Sequence, residues 1–320
     1  MGRRRQAALF LIGIAVAVAG IALAGVATQS PLRAAHWLPT DRQAHALSHE
    51  PRECLRPASS PLEVRRIAIG RAAFRTPLLL GGQAARAGLS CNSCHRNGRG
   101  NPDFQFAGLS GAPGTADVTS SLMSSHRGDR LDNPKPIPDL SGPVHSQKIS
   151  RDPADRALET FIHGLIVEEF DGPEPTPLTL DGLAHYVRAL SPRGCPTAAE
   201  RRIRLAEYVS DARAAMQATQ FALDAHDGVT ARLMLTSARS ALGMIDERYA
   251  IPALTRDQEL LRESDLELAA MQHAVDTGDP DATLRVTTWL AKAQRWIKPL
   301  ARDEPLSLFN TERLAASAKK

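Results

Sequence analysis

Residues 91–95 read Cys-Asn-Ser-Cys-His, and this spacing of two thiols and one imidazole suits a single cofactor. Residues three positions apart lie on one side of a helical turn, so the sulfurs of Cys91 and Cys94 face the same way. Two such sulfurs can form thioethers with the two vinyl groups of one porphyrin, and His95 then binds the iron as proximal axial ligand. The string therefore predicts one covalently bound haem c, with its iron.

Three plainer interpretations compete with this one: a redox dithiol, half of a zinc site and a chance pairing. A thioredoxin-like dithiol needs a βαβ context, which the flanking sequences GGQAARAGLS and RNGRGNPDF do not supply. A zinc site needs a second pair of ligands, and none is evident. The remaining two of the four cysteines, Cys54 and Cys195, stand alone.

The composition favours an all-α chain without a nucleic-acid partner. Aromatic residues make up only 4% of the 320 residues, and runs that favour strands are few. The formal net charge is +4, and no basic stripe is interleaved with aromatics. The arginine pairs at 65–66 and 201–202 are expected on solvated helix faces.

The N-terminal residues 1–30 predict export. Arginines at positions 3–5 precede an apolar run over residues 7–27, which is close to the ~20 residues needed to span a bilayer. We expect a retained single-pass membrane anchor, and the alternative is a signal peptide cleaved near Ala24 or Ala27. Both place the rest of the chain in the bacterial periplasm, where c-type haem is attached.

Residues 31–60 predict a tether between the membrane and the folded part. They are rich in Pro, Arg, Ser and His and have no apolar period. His36, His45 and His49 lie in this segment, and we interpret them as solvated side chains.

The haem domain is predicted over residues 61–195, with two helices that cross. The first spans 62–74 and has Gly70 and Phe74 on one side, where Gly70 removes a side chain and allows a close crossing. Its predicted partner spans 181–190 and has an apolar stripe that includes Tyr186.

This arrangement resembles the class I cytochrome c fold, in which a Gly-x-x-x-Phe face crosses a last helix bearing an aromatic residue. Residues 66–191 resemble more closely one domain of the bacterial di-haem cytochrome c peroxidase family. The similar segments read GRAAFRTPLLLGG, AGLSCNSCH, LETFIHGLIVEEFDG and LAHYVRAL. The family's peroxidase activity relies on one haem that passes electrons to a second, and its members accordingly have two CxxCH motifs. This chain has one such motif.

A long irregular stretch between the haem motif and residue 150 is expected to wrap the porphyrin and present a sixth iron ligand. The candidates are Met123, His126 and an open or water-bound position; His145 is interpreted as a loop histidine. Met123 is favoured because its surroundings are small and polar, unlike those of a methionine that fills a packed helix. A thioether ligand would raise the reduction potential, and a second histidine would lower it.

Three further features of the haem domain carry predictions. Asp152 and Pro153 predict a helix start, followed by an apolar helical stripe. His163 and His185 fall off the apolar faces of their helices and are expected to be exposed. Cys54 and Cys195 bracket the domain and could form a disulfide in an oxidising compartment, although their separation cannot be read from the sequence.

Residues 196–320 predict an α-helical bundle. The periodicity indicates helices over 198–226, 229–247, 256–277 and 281–299. A weak internal match at an offset of 52 suggests two stacked helical hairpins, which would resemble a pair of TPR repeats. The side chains interpreted as core residues are Met216, Met234, Met244, Met271, Trp289 and Trp296.

Three functions fit these features. The first is an exported mono-haem cytochrome that passes single electrons to an unidentified redox partner protein. The second is a peroxidase-like enzyme with an open iron site, and the third is a haem-based sensor that signals through the bundle. The occupant of the sixth coordination position of the iron distinguishes electron carriage from peroxidase catalysis: a protein ligand favours carriage, and an open position favours catalysis.

Overall fold

The computed structural model describes residues 32–126, 128, 130–143, 148–197 and 199–317, which are mostly helical. The predicted anchor over residues 7–27 and His145 lie outside these ranges. Within them, no helix is long and apolar enough to cross a membrane.

The elements of the described ranges are as follows. The α-helices are α1 (Gln43–Ala46), α2 (Pro61–Phe74), α3 (Gly82–Arg86), α4 (Cys91–Cys94), α5 (Ala157–Gly164), α6 (Pro177–Ala189), α7 (Leu205–Asp224), α8 (Gly228–Arg248), α9 (Thr255–Asp276), α10 (Ala282–Lys292), α11 (Gln294–Asp303) and α12 (Thr311–Ser317). The strands are β1 (His49–Pro51), β2 (Thr115–Ala116), β3 (Lys135–Pro136) and β4 (Glu200–Arg202); β1 pairs with β4 and β2 with β3, both antiparallel.

Helices α2 and α6 begin with the same local signals. In α2 the side chain of Ser60 accepts a hydrogen bond from the backbone N–H of Glu63, and a proline follows the cap. In α6 the side chain of Thr176 accepts from the N–H of Thr179, again with a proline next in the chain. A side-chain acceptor followed by proline satisfies the free N–H groups of a first turn, so both predicted helices form.

The crossing of α2 over α6 confirms the prediction for Gly70. A Cβ atom on Gly70 would lie 1.9 Å from the carbonyl oxygen of Gly182, so the two backbones touch where both side chains are hydrogen. Beside this contact the rings of Phe74 and Tyr186 pack with their centroids 5.1 Å apart. Glycine at both positions thus lets the two aromatic residues meet in the core.

Helix α5 begins at Ala157, so the predicted start at Asp152 and Pro153 is wrong. The carboxylate of Asp152 accepts a hydrogen bond from the N–H of Ala154 at 2.9 Å, and that of Asp155 accepts from the N–H of Ala157, also at 2.9 Å. These local side-chain bonds hold two consecutive turns in place of a first helical turn.

The described part of residues 31–60 packs against the body of the protein, unlike the predicted tether. Leu32, Ala35 and Leu47 are buried in a cluster with Leu308 and Leu314 near the C-terminus. This segment packs in place with few apolar residues because the backbone of β1 pairs with that of β4. Backbone hydrogen bonds of this kind leave no hydrophobic period in the sequence.

The C-terminal helices follow the predicted pattern with two differences. The first begins at Leu205, because residues 200–202 form β4, and the fourth is divided at residue 293 between α10 and α11. The hydrophobic core continues across the predicted boundary at residue 196, since Phe74 and Tyr186 share it with Met216. Of the side chains predicted to be in the core, Met244 is the exception, with 37% of its surface exposed.

Candidate haem site

The haem motif lies on α4, a single turn fixed by reciprocal hydrogen bonds between Ser90 and Ser93. The backbone N–H of Ser90 donates to the Ser93 hydroxyl at 3.0 Å, while the backbone N–H of Ser93 donates to the carbonyl oxygen of Ser90 at 2.9 Å. The N–H of His95 then donates to the carbonyl of Cys91 at 2.8 Å and closes the turn. This turn places the sulfurs of Cys91 and Cys94 on the same side of the backbone.

Both motif cysteines are free thiols, whereas Cys54 and Cys195 form a disulfide. Cys91 and Cys94 are half-buried, and burial raises the pKa of each thiol to about 12. A CxxC pair active in disulfide exchange has instead a lowered thiol pKa. The structure therefore leaves two protonated, unpaired sulfurs side by side.

The imidazole of His95 is oriented by a backbone carbonyl from a distant segment. Its Nδ1 lies 3.0 Å from the carbonyl oxygen of Pro138, which can only accept, so Nδ1 donates the proton. No described residue forms a hydrogen bond with Nε2. Burial lowers the pKa of His95 to about 4, against the opposing effects of Pro138 and Asp139, so the ring is neutral and can act as a metal ligand.

The segment that carries Pro138 is itself held in place. The next residue, Asp139, accepts a hydrogen bond from the Nε of Arg99 at 2.6 Å and another from the N–H of Ser141 at 2.8 Å. Such partners behind a ligand fix the orientation of its ring. Pro138 lies in the proline-rich run NPKPIPDLSGP, which is the only sign of it in the sequence, because a backbone acceptor can belong to any residue type.

A cluster of buried apolar residues packs against the two motif cysteines. Its buried members, here called the pocket cluster, are Leu80, Ala84, Leu89, Phe104, Leu109, Ala116 and Met123. Cys91 and Cys94 pack against this cluster from one side. The residues present therefore fit a haem, because two free thiols pack against an apolar cluster and the residue that follows them in the chain is a neutral imidazole with an available Nε2.

The sixth-ligand candidates occupy different surroundings. Met123 is only 2% exposed and belongs to the apolar pocket cluster, against which the motif cysteines pack. The prediction that its surroundings are small and polar is therefore wrong. The side chain of His126 is 63% exposed, and its Nε2 lies 3.7 Å from a carboxylate oxygen of Asp171. His163 and His185 are half-buried outside the pocket cluster, where they pair with Glu174 and Asp181 respectively.

A buried charge network lies behind the motif. The carboxylate of Glu53 accepts from Arg71 and Arg75, each at 2.9 Å, and from the hydroxyl of Tyr186 at 2.7 Å. Arg75 also donates to the side chain of Asn97 at 2.7 Å, two residues after His95. The network therefore connects the segment after the motif to the crossing helices, through ion pairs that residue spacing does not predict.

The described residues contain no group of three or more His, Cys, Asp or Glu side chains that could hold a metal ion by themselves. No family model, curated protein or solved structure matches this chain. The similarity of residues 66–191 to the di-haem peroxidase family thus stays a prediction.

Proposed function

We propose that this chain is an exported mono-haem c-type cytochrome that carries single electrons. The haem is attached through Cys91 and Cys94, and His95 is its proximal ligand. When bound, this group supplies an iron centre that accepts and releases one electron. The observation that carries the proposal is the hydrogen bond from His95 to Pro138, because it leaves Nε2 available on the residue that directly follows two unpaired cysteines.

The protein has three tasks in this function. The carbonyl of Pro138 holds the imidazole in one tautomer and one orientation. The pocket cluster excludes water, which controls the electrostatic surroundings of the cofactor and with them its reduction potential. Met123 is the proposed distal ligand, and its soft thioether favours the reduced state of the iron.

The proposed location is the periplasm, with the chain tethered to the inner membrane by residues 7–27. The disulfide between Cys54 and Cys195 supports an oxidising compartment, where such bonds form and persist. The electron passes to or from a redox partner protein of unknown identity.

The burial of Met123 favours electron carriage over peroxidase chemistry, which needs an open iron position. The proposal assigns that position to the thioether of Met123, which is buried in the pocket cluster, whereas an enzyme would keep the position open for hydrogen peroxide. Carriage predicts a low-spin, six-coordinate spectrum that added peroxide leaves unchanged. A high-spin spectrum that shifts with peroxide would instead support the enzyme.

The decisive experiment is to express the full chain in a bacterium that attaches c-type haem and then to denature it. We expect the colour to stay with the polypeptide through acid-acetone extraction and gel electrophoresis. The variant with both Cys91→Ala and Cys94→Ala should lose it, whereas Cys54→Ala with Cys195→Ala should keep it. A colourless wild-type chain would overturn the proposal.

A further inference from the structure

A cavity lies beside the motif turn, between α4 and α8. It has a volume of about 180 Å³ and is called the rear cavity here. Ser90, Asn92 and Arg96 line it from the motif side, and Tyr208, Ser240 and Arg248 line it from the bundle side. None of Cys91, Cys94, His95 and Met123 lines it.

The ion pairs around the rear cavity leave two of its arginines without an acidic partner. All three acidic side chains that line the cavity are engaged: Glu247 pairs with Arg33, Asp211 pairs with Arg71 and Arg75, and Glu50 pairs with Arg201. No carboxylate in the described ranges lies within ion-pair distance of Arg96 or Arg248. The cavity therefore has an excess of positive charge.

The more deeply placed of these two cations is Arg248, which is 4% exposed. Its guanidinium donates to the carbonyl oxygens of Leu308 at 2.9 Å and Leu47 at 2.5 Å and lies 4.8 Å from the ring centre of Phe309. These partners are neutral dipoles and a ring, so they orient the cation without neutralising it. A buried charge without an opposite charge is costly, and an anion in the cavity would reduce that cost.

The remaining lining mixes apolar side chains with uncharged polar ones. Trp37, Phe104 and Tyr208 contribute rings, and the exposed Met244 contributes a flexible thioether. An apolar cavity of about 150 Å³ is large enough to bind benzene. The size of the rear cavity therefore fits a single ring, and its charge fits one negative group on that ring.

We propose that the rear cavity is a binding site for a small aromatic carboxylate, with Arg96 and Arg248 facing the negative group. The site is separate from the sulfurs and the imidazole of the haem motif, so this inference does not rest on the proposed electron carriage. Loss of haem attachment and loss of carboxylate binding are therefore distinguishable results.

The test is isothermal titration of the full chain, purified in nonionic detergent, with benzoate as the probe. Micelles without protein serve as the blank. We expect one benzoate per chain, and we expect benzamide, the neutral ligand of similar shape, to bind at least tenfold more weakly because it cannot pair with a guanidinium. Absence of one-to-one binding at millimolar benzoate, or equal affinity for benzamide, would overturn the proposal.

Variants locate the binding within the molecule. Ser240→Leu fills the cavity from α8 without removing a described hydrogen bond, and it should abolish binding. Arg96→Gln should weaken benzoate about tenfold and leave benzamide unchanged. Arg262→Gln, at an exposed position of α9 outside the cavity, is the matched control and should bind as the wild type does. Undiminished binding by Ser240→Leu with wild-type circular dichroism and melting temperature would place the ligand elsewhere.

Discussion

The Nδ1 atom of His95 lies 3.0 Å from the carbonyl oxygen of Pro138, although 43 positions separate the two residues. The contact joins the motif turn to the far end of the irregular stretch that follows it. It fixes the tautomer of the imidazole and thereby selects Nε2 as the atom available to iron. The spectroscopic prediction for His95 depends on this placement.

Replacing His95 with alanine should separate attachment from ligation. The two thioethers still hold the porphyrin, but the iron loses its proximal ligand and its spin state changes. Absorption spectra of the oxidised and reduced protein measure this change. His163→Ala is the control, since that ring pairs with Glu174 outside the pocket cluster. An unchanged spectrum in His95→Ala would contradict the ligand assignment.

Replacing Met123 tests the distal position. Met123→Leu keeps the buried volume, at a cost of less than about 1.5 kcal/mol, but removes the thioether. We expect a change from low-spin to high-spin iron and a lower reduction potential, because methionine ligation raises the potential. His126→Ala should leave the spectrum unchanged, as its side chain is 63% exposed. If only His126→Ala alters the spectrum, His126 is the ligand.

Removing the disulfide should destabilise the folded chain. Cys54 and Cys195 are 141 positions apart, and bonds that close long loops restrict the unfolded chain strongly. The double variant Cys54→Ala, Cys195→Ala should lose about 2–5 kcal/mol of unfolding free energy. Denaturant titrations followed by circular dichroism measure this loss. A reductant should lower the midpoint of the wild type and not that of the variant; equal midpoints without reductant would refute the prediction.

The crossing of α2 and α6 gives a matched pair of glycine substitutions. Gly70→Ala places a methyl group against the carbonyl of Gly182 and should cost about 3 kcal/mol of stability. Gly164→Ala, at the end of α5, has no atom within 4 Å of the new Cβ and should be neutral or stabilising by up to about 1 kcal/mol. Denaturant titrations give the unfolding free energies of the two variants. Similar values for Gly70→Ala and Gly164→Ala would argue against the close crossing of α2 and α6.

The charge network predicts a pH dependence of stability. Burial alone would raise the pKa of Glu53, but the charges of Arg75 and Arg71 and the hydroxyl of Tyr186 outweigh it and lower the pKa to about 2. Because this pKa lies below the unfolded value of about 4.3, the stabilisation is present above pH ~5 and is lost as the pH falls towards 2. A shift of this size corresponds to about 3 kcal/mol.

The variant Glu53→Gln measures this contribution. It should be less stable than the wild type by about 3–5 kcal/mol at pH 7, because it leaves the buried guanidinium groups without their carboxylate. The difference should shrink as the pH is lowered from 5 towards 2. Glu263→Gln, at an exposed position of α9, should show no such convergence. A difference that is independent of pH would mean that Glu53 acts through packing alone.

The sequence by itself determined the local features of this protein. The spacing of Cys91, Cys94 and His95 defines one helical turn with its sulfurs together, because neighbouring positions on a helix are fixed by backbone geometry. The same reasoning found the helix that contains Gly70. The helix start predicted at Asp152 was wrong, because side-chain hydrogen bonds to the backbone compete there with helix formation.

Only the tertiary structure decided the long-range relationships. It paired Cys54 with Cys195, brought the carbonyl of Pro138 to His95, and buried Met123 while leaving His126 exposed. None of these follows from residue type or spacing, because each depends on how chain segments far apart in sequence pack together. Backbone acceptors and buried ion pairs leave no periodic pattern, so they become visible only when the helices are assembled.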